Sequence, residues 1–326
     1  LELLVRWIPE LKSTIGAVAV LDVLCSLALL ARERSWRRPE VGEGRAVSIR
    51  GGRHPVVEQV LRPGEFVPND CSFDGERDTV HIITGPNMAG KSTYMRQIAL
   101  IAIMAQAGSF VPADRASLGV VDRIYTRVGA LDNLSAGQST FLVEMSETAE
   151  ILNTATDKSL VVLDEIGRGT STYDGMSLAW AVAEYLHAKR ARTLFATHYH
   201  ELSDLARRHA GIRNLHMAVE ESGHEVIFLR EVRRGAIGRS YGIYVARLAG
   251  VPGEVVDNAR AILSTIGRKG RSVPVLNRGA PVQESLFHDD PGGGAADALE
   301  MIRSVDLERI TPLEALNLLH ELRKKI

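Results

Sequence analysis

The sequence predicts an α/β fold built on a buried parallel sheet, with helical additions at both ends. Three apolar runs carry that expectation: residues 79–84, 159–163 and 193–196 are short and rich in β-branched or bulky apolar side chains. Strands covered on both faces read this way. Each run ends in residues able to do chemistry, namely a glycine loop, an Asp-Glu pair and a histidine. In sheets of this class, ligands gather outside the carboxyl ends of the strands.

The first run leads into Gly85-Pro86-Asn87-Met88-Ala89-Gly90-Lys91-Ser92, and Thr93 continues into an unbroken stretch of helical composition. Strand, glycine loop and helix form the context that a phosphate-binding loop requires. Backbone N–H groups of such a loop curl around an anion, and the helix start adds the positive end of its dipole. Lys91 is expected to reach the β- and γ-phosphates of a nucleoside triphosphate, with the Ser92 hydroxyl on Mg²⁺.

The second run ends in Asp164-Glu165. Asp164 is expected to hold the same Mg²⁺, and Glu165, on the other side of the strand, to polarise the attacking water. The following helix is expected later, near Asp174, so the pair is more than a cap. Between the first two runs, Leu134-Ser135-Ala136-Gly137-Gln138-Ser139-Thr140 leads into a helical pattern from Phe141. Read alone, this is an ordinary serine N-cap. It is equally an anion-receptive helix start that two subunits could share, each over the other's γ-phosphate. The third run ends in His198, which could contact the γ-phosphate or the water. His198-Tyr199-His200 has the look of a metal pair, but no Cys or carboxylate cluster accompanies it.

Composition sets limits. The 326 residues are 45% hydrophobic and 24% charged, which suits one substantial domain with appendages. A net charge of −1 is unlike a surface built to grip a phosphate backbone, so the chain is not expected to hold DNA by itself. Cys25 and Cys71 read as reduced packing residues in a cytoplasmic setting. The longest apolar stretch, residues 15–30, is interrupted by Asp22, Cys25 and Ser26 and is not read as a membrane span. No signal-peptide pattern occurs.

These residues together resemble the MutS family, DNA mismatch-repair ATPases of the ABC-like P-loop class. The matching stretches are Arg53-His54-Pro55-Val56-Val57-Glu58, the loop from Gly85 to Thr93, Ser139-Thr140-Phe141, Asp164-Glu165 through Thr172, Phe195-Ala196-Thr197-His198-Tyr199 and Ser240-Tyr241-Gly242-Ile243. The resemblance implies two ATPase domains forming composite sites across a homodimer. Lys91, Ser92, Asn87, Asp164, Glu165 and His198 would act within one subunit, and Ser139 would complete the partner's site; choosing Ser139 over Ser135 rests on the resemblance. Phe66 matches the position where the family stacks an aromatic on adenine. Ala89 stands where many members have glycine, which is tolerable if its φ is negative.

The resemblance also orders the remainder. Residues 1–38, with Leu11, Ile15, Val18, Leu21, Leu24 and Ala28 on one helical face, are similar to the helix by which the family's lever arm returns to its ATPase domain. A chain beginning there looks like the C-terminal part of a longer protein, a motor without its mismatch-reading domains. Arg32, Arg34, Arg37 and Arg38 suit a solvated helix end. Residues 39–266 form the expected ATPase domain. Its last part, about 238–266, is a helix-turn-helix; acidic Glu254 and Asp257 argue against reading DNA, and the resemblance implies a dimer clasp. Residues 267–296 have linker composition. Within them Gln283, Leu286 and Phe287 resemble a peptide offered to a replication sliding clamp. Residues 297–326 suggest a small helical oligomerisation segment, too short to bury a core alone.

The expected function is Mg²⁺-dependent hydrolysis of ATP that switches attached DNA-binding domains, with mismatched DNA and a MutL-type repair protein as partners. A related ATPase acting in recombination, or a non-catalytic ATP-dependent dimerisation module, are the alternatives. An ABC transporter ATPase would lack Arg53-His54-Pro55 and the Ser240-Tyr241-Gly242 helix pair.

Overall fold

The computed structural model describes residues 5–128, 139–222, 225–236 and 241–269. The chain divides into two units, Leu1–Ser264 and Thr265–Ile326. The linker with Gln283, Leu286 and Phe287, and the segment 297–326, lie outside the described residues, as does Ser135.

The first unit is a mixed α/β fold on two sheets. Helix α1 (Ile8–Glu33) is followed by β1 (Glu40–Gly42), β2 (Val47–Gly52), α2 (Val57–Val60), β3 (Asn69–Phe73) and β4 (Val80–Thr84). Next come α3 (Lys91–Gln106), β5 (Arg115–Gly119), β6 (Ile124–Arg127), α4 (Thr140–Thr154), β7 (Leu160–Asp164), α5 (Thr172–Ala188) and β8 (Arg192–Ala196). The short α6 (Leu205–Arg208), β9 (Ile212–Ser222), β10 (Glu225–Arg234) and α7 (Gly242–Leu248) follow, and α8 (Gly253–Lys269) runs past the end of the unit at Ser264.

The central sheet has the order β10-β9-β4-β8-β7-β6, parallel except for β10. The apolar runs read from the sequence are its middle strands. Because side chains alternate across a strand, each supplies two cores. Ile83, Leu160, Val162, Leu194 and Ala196 meet α3 on one face, and the smaller sheet (β1-β5-β2-β3) closes that layer. Val80, Ile82, Val161, Leu163 and Phe195 meet α4 and α5 on the other. Arg192, 2% exposed, joins the layers: its guanidinium donates to the carbonyls of Arg45 (3.1 Å), Val120 (3.2 Å) and Lys158. Helix α5 starts two residues before the expected Asp174, because the Ser171 side chain accepts the Asp174 N–H and caps it.

Helix α1 forms where the sequence reading expects it, but it is more apolar along its length than that reading allowed. Asp22, Cys25 and Ser26 interrupt the apolar run but not the helix: Ile8–Glu33 is continuous, and its most apolar 18-residue stretch, with a mean hydropathy of 2.2, is long and apolar enough by length and composition to cross a membrane. A single polar residue per turn neither breaks a helix nor offsets its apolar neighbours. One such helix is weak ground for a membrane reading, since the core helix of a soluble protein passes the same test. Among the described residues little covers its apolar side chains: Ala31 is buried, whereas Leu11, Ile15, Val18, Leu21 and Leu24 are exposed. Cys25 is exposed with them, contrary to the packing role expected of it, while Cys71 is buried and its thiol is pushed up to about 12 by desolvation.

The root of α1 explains the Arg53-His54-Pro55 motif. Arg53 Nε pairs with Glu58 Oε2 at 2.7 Å, and Glu58 Oε1 accepts the indole N–H of buried Trp36 at 3.0 Å. His54 Nδ1 accepts the N–H groups of Val56 and Val57. These bonds tie the start of α2 to the segment that follows α1.

Candidate nucleotide-binding site

The register of β4, β8 and β7 sets Ile83, Ala196 and Asp164 side by side. The loops that follow therefore open on one edge, which is why three chemistry-bearing strand ends converge. Gly85 (φ +140°) and Gly90 (φ +103°) make the left-handed turns of the glycine loop. A Cβ at Gly85 would stand 3.0 Å from Met217 Cβ. Met88 also takes a positive φ, +71°, whereas Ala89 is buried and outside the left-handed region.

Lys91, at the first turn of α3, is 4% exposed and donates to the carbonyls of Gly85 (2.6 Å) and Pro86 (3.2 Å). Burial lowers its pKa, while the nearby Glu165 and Asp164 charges act in the opposite sense. The next residue, Ser92, donates its hydroxyl to Asp164 Oδ2 at 2.5 Å. Asp164 Oδ1 is buried and has no hydrogen-bond partner. Leaving a buried carboxylate oxygen unsatisfied is costly. A hydroxyl and an open carboxylate oxygen beside a phosphate cradle are the hard donors that a small divalent cation takes. The residues fit Mg²⁺. Among the described residues no group of three or more His, Cys, Asp or Glu offers another metal site.

Glu165 leaves the strand through a left-handed turn (φ +59°), with its N–H on the Ala196 carbonyl at 3.0 Å. Both of its carboxylate oxygens are engaged, Oε1 with His198 Nε2 and Oε2 with Arg168 Nη1. The His198 hydrogen bond lowers its pKa to about 2; partial burial opposes this, and the His198, Arg168 and Lys91 charges reinforce it. A carboxylate so acidic is suited to orienting a water rather than removing its proton. Arg168 was not singled out from the sequence, although its position three residues after Glu165 was a signal.

Three cavities surround the loop. One of about 480 Å³ is lined by Gly85, Pro86, Asn87, Glu165 and His198, with Tyr241 and Gly242 from the start of α7. A second, about 270 Å³, is lined by Phe66, Val57, Met88, Gly90, Thr93 and Arg230, so the half-buried aromatic ring faces the start of α3 across a space suited to a flat base. The third, about 550 Å³, is lined by Asn87, Ser92, Asp164, Glu165, Arg127, Arg168 and Thr140. Arg230 and Arg127 come from elements the sequence reading did not connect to the site.

Ser139 is set apart. It is exposed and precedes α4 as its N-cap residue, but its side chain makes no capping bond. Its neighbour Thr140 lines the third cavity, whereas Ser139 is not among the residues lining any of the three. Helices α7 and α8 are joined by a short turn, and α8 buries Val256 while Val255, Ile262 and Leu263 are exposed.

Comparison with known proteins agrees with the resemblance. The family model described as MutS domain V matches residues 81–267. The DNA mismatch repair protein MutS of Acetivibrio thermocellus is 53% identical over 326 residues, covering 98% of this chain and 38% of that protein. Those of Chlorobium phaeovibrioides and Myxococcus xanthus are 54% and 52% identical, covering 94% and 98% of this chain and 35% and 38% of their own length. The chain thus spans little more than a third of the relatives it matches. With the glycine loop and the three strand ends inside the matched residues, and only Phe66 and its neighbours in the second cavity before them, the chain belongs to the MutS family, through that family's domain V.

Proposed function

We propose that the chain is the ATP-hydrolysing part of a DNA mismatch repair protein, and that its sites are completed between two copies. The observation that carries this reading is the Ser92–Asp164 pair, a bonded hydroxyl and an open buried carboxylate oxygen under the phosphate loop. Adenine stacks on Phe66, and the phosphates lie along Gly85, Pro86, Asn87, Met88, Ala89, Gly90, Lys91, Ser92 and Thr93. Bound Mg²⁺, held by Ser92 and Asp164, supplies charge neutralisation at the phosphate oxygens. Glu165, fixed by His198 and Arg168, orients a water for in-line attack on the γ-phosphorus. The bond from that phosphorus to the bridging oxygen breaks, and ADP and phosphate, which takes up the water's proton, are released. Ser139 of one copy meets the γ-phosphate held by the other, which accounts for its exposed, uncommitted hydroxyl.

The exposed apolar residues of α8 support a clasp between the two copies over a DNA-reading role. Residues 1–38 then serve as the root of a lever, 39–266 as the motor, 267–296 as a linker offering Gln283, Leu286 and Phe287 to a sliding clamp, and 297–326 as an oligomerisation segment. ATP binding closes the pair and hydrolysis releases it, switching contact with mismatched DNA and a MutL-type partner in the bacterial cytoplasm.

Turnover per subunit as a function of protein concentration tests the reading. A rate that climbs steeply and saturates is expected. A flat rate from a chain that stays monomeric by mass would sink the shared site. ATP binding without turnover at any concentration would leave a non-catalytic dimerisation module.

A further inference from the structure

The turn after Glu165 is held from the side of α4. Gly167 (φ +87°) donates its N–H to Glu144 Oε1 at 2.6 Å, and its carbonyl accepts the Tyr199 hydroxyl at 3.0 Å. A Cβ at Gly167 would stand 2.4 Å from the Gly175 carbonyl oxygen, so the turn is seated without slack. Glu144 is 7% exposed and lies five residues past Ser139, about 7.5 Å along the helix axis. Arg127, 5% exposed at the end of β6, faces the same carboxylate, with Nη2 3.7 Å from Glu144 Oε2 and Nε 3.1 Å from Glu147 Oε2.

Hydrolysis has no direct use for Glu144. Its effect runs through the chain: Gly167 precedes Arg168, and Arg168 holds one oxygen of Glu165. We propose that Glu144 is a positioning residue, whose hydrogen bond to the Gly167 amide fixes the Glu165–Arg168 turn and ties it to the helix that begins at Ser139. This rests on the ATPase reading above and adds a connection to it. Helix α4 is an unbroken 15-residue rod, so displacement at its start reaches Glu165 of the same copy through the Glu144–Gly167 and Arg168–Glu165 bonds. Engagement of Ser139 by the nucleotide of one subunit is thereby felt at the hydrolytic group of the other. The strength of the effect follows from geometry: a misplacement of about 1 Å at a reacting group costs on the order of 10²-fold in rate.

Two conservative variants of the full chain separate this role from plain structural support. Glu144→Asp keeps the charge opposite Arg127 but withdraws the oxygen by one methylene. Glu144→Gln keeps an acceptor at the right reach and loses the charge. Positioning predicts that Glu144→Asp lowers kcat about tenfold or more, while Glu144→Gln stays close to the parent. Both should keep the parent's affinity for a non-hydrolysable ATP analogue. Exchange of the Gly167 amide should accelerate in Glu144→Asp and stay slow in Glu144→Gln, with β4 and β7 protected in both. The reverse order of rates, parental rates in both, or a loss of protection across β4 and β7 would overturn the proposal. If the parent chain binds ATP without turning it over, the ATPase reading fails, and Gly167 exchange still decides whether Glu144 holds the turn.

Discussion

Asp164 gives one carboxylate oxygen to the Ser92 hydroxyl at 2.5 Å and keeps the other buried without a partner. The arrangement costs stability in the metal-free chain, because a buried carboxylate oxygen gains nothing to offset its lost hydration. On the function proposed above, it is a site kept open for a cation. Asp164→Asn is expected to raise the metal-free melting temperature and to lower turnover by roughly 10²-fold or more. ATP affinity measured with and without Mg²⁺ checks the cause: the cation should tighten binding to the parent and not to the variant. An equal response in both would remove Asp164 from the cation site.

Glu165 sets an acid dependence whose sign is fixed. Its folded pKa is about 2, against an ordinary value of 4.5, so folding favours the charged form. The stabilisation is complete above pH 4.5 and is lost as pH falls towards 2. Denaturation followed between those pH values should show a slope that flattens in Glu165→Gln. The same variant should bind ATP normally and lose roughly 10²- to 10⁴-fold in kcat. A variant with parental turnover would take Glu165 out of the chemistry.

Ser139 separates a shared site from a self-contained one. Ser139→Ala removes an exposed hydroxyl that caps nothing, so the unfolding free energy of the single chain should change by less than about 0.5 kcal/mol. The saturating rate at high protein concentration should nevertheless fall. Mixing the variant with a Lys91→Ala chain, which keeps Ser139 but cannot turn over ATP, should restore part of the rate per intact phosphate loop. No restoration in the mixture would count against donation from a partner.

Phe66 lines the cavity beside Thr93 and Gly90, and the phosphate loop's lysine is not among that cavity's lining residues. Stacking on an aromatic ring is worth about 0.5–1.5 kcal/mol, so Phe66→Ala should weaken ATP roughly three- to tenfold. Affinity for inorganic tripolyphosphate, which has no base, should not change. Equal weakening of both ligands would assign the loss to the loop.

The parts of the site legible in the sequence are those fixed by local order. A strand must precede the glycine loop and α3 must follow it, and the apolar run before Asp164 admits little but a buried strand. The smaller sheet was not legible. It pairs β2 with β3 and β5, strands up to about 70 residues apart and too short to show a period. Arg168 escaped attention because its bond to Glu165 depends on the left-handed turn at Glu165 itself. Glu144 reads as one polar residue of a helix; only the return of the chain at Gly167 gives it a partner. Helix α1 was legible in the sequence, but its apolar residues lie on every side rather than on one face, and a sequence does not say which part of a protein will cover them.

Arg192 draws carbonyls from the connections of both sheets onto one buried guanidinium. Peeling either layer away would strand a cation in the interior, a penalty of several kcal/mol. The two layers are therefore bound to melt together, in a single cooperative event, and to share one opening free energy in hydrogen exchange.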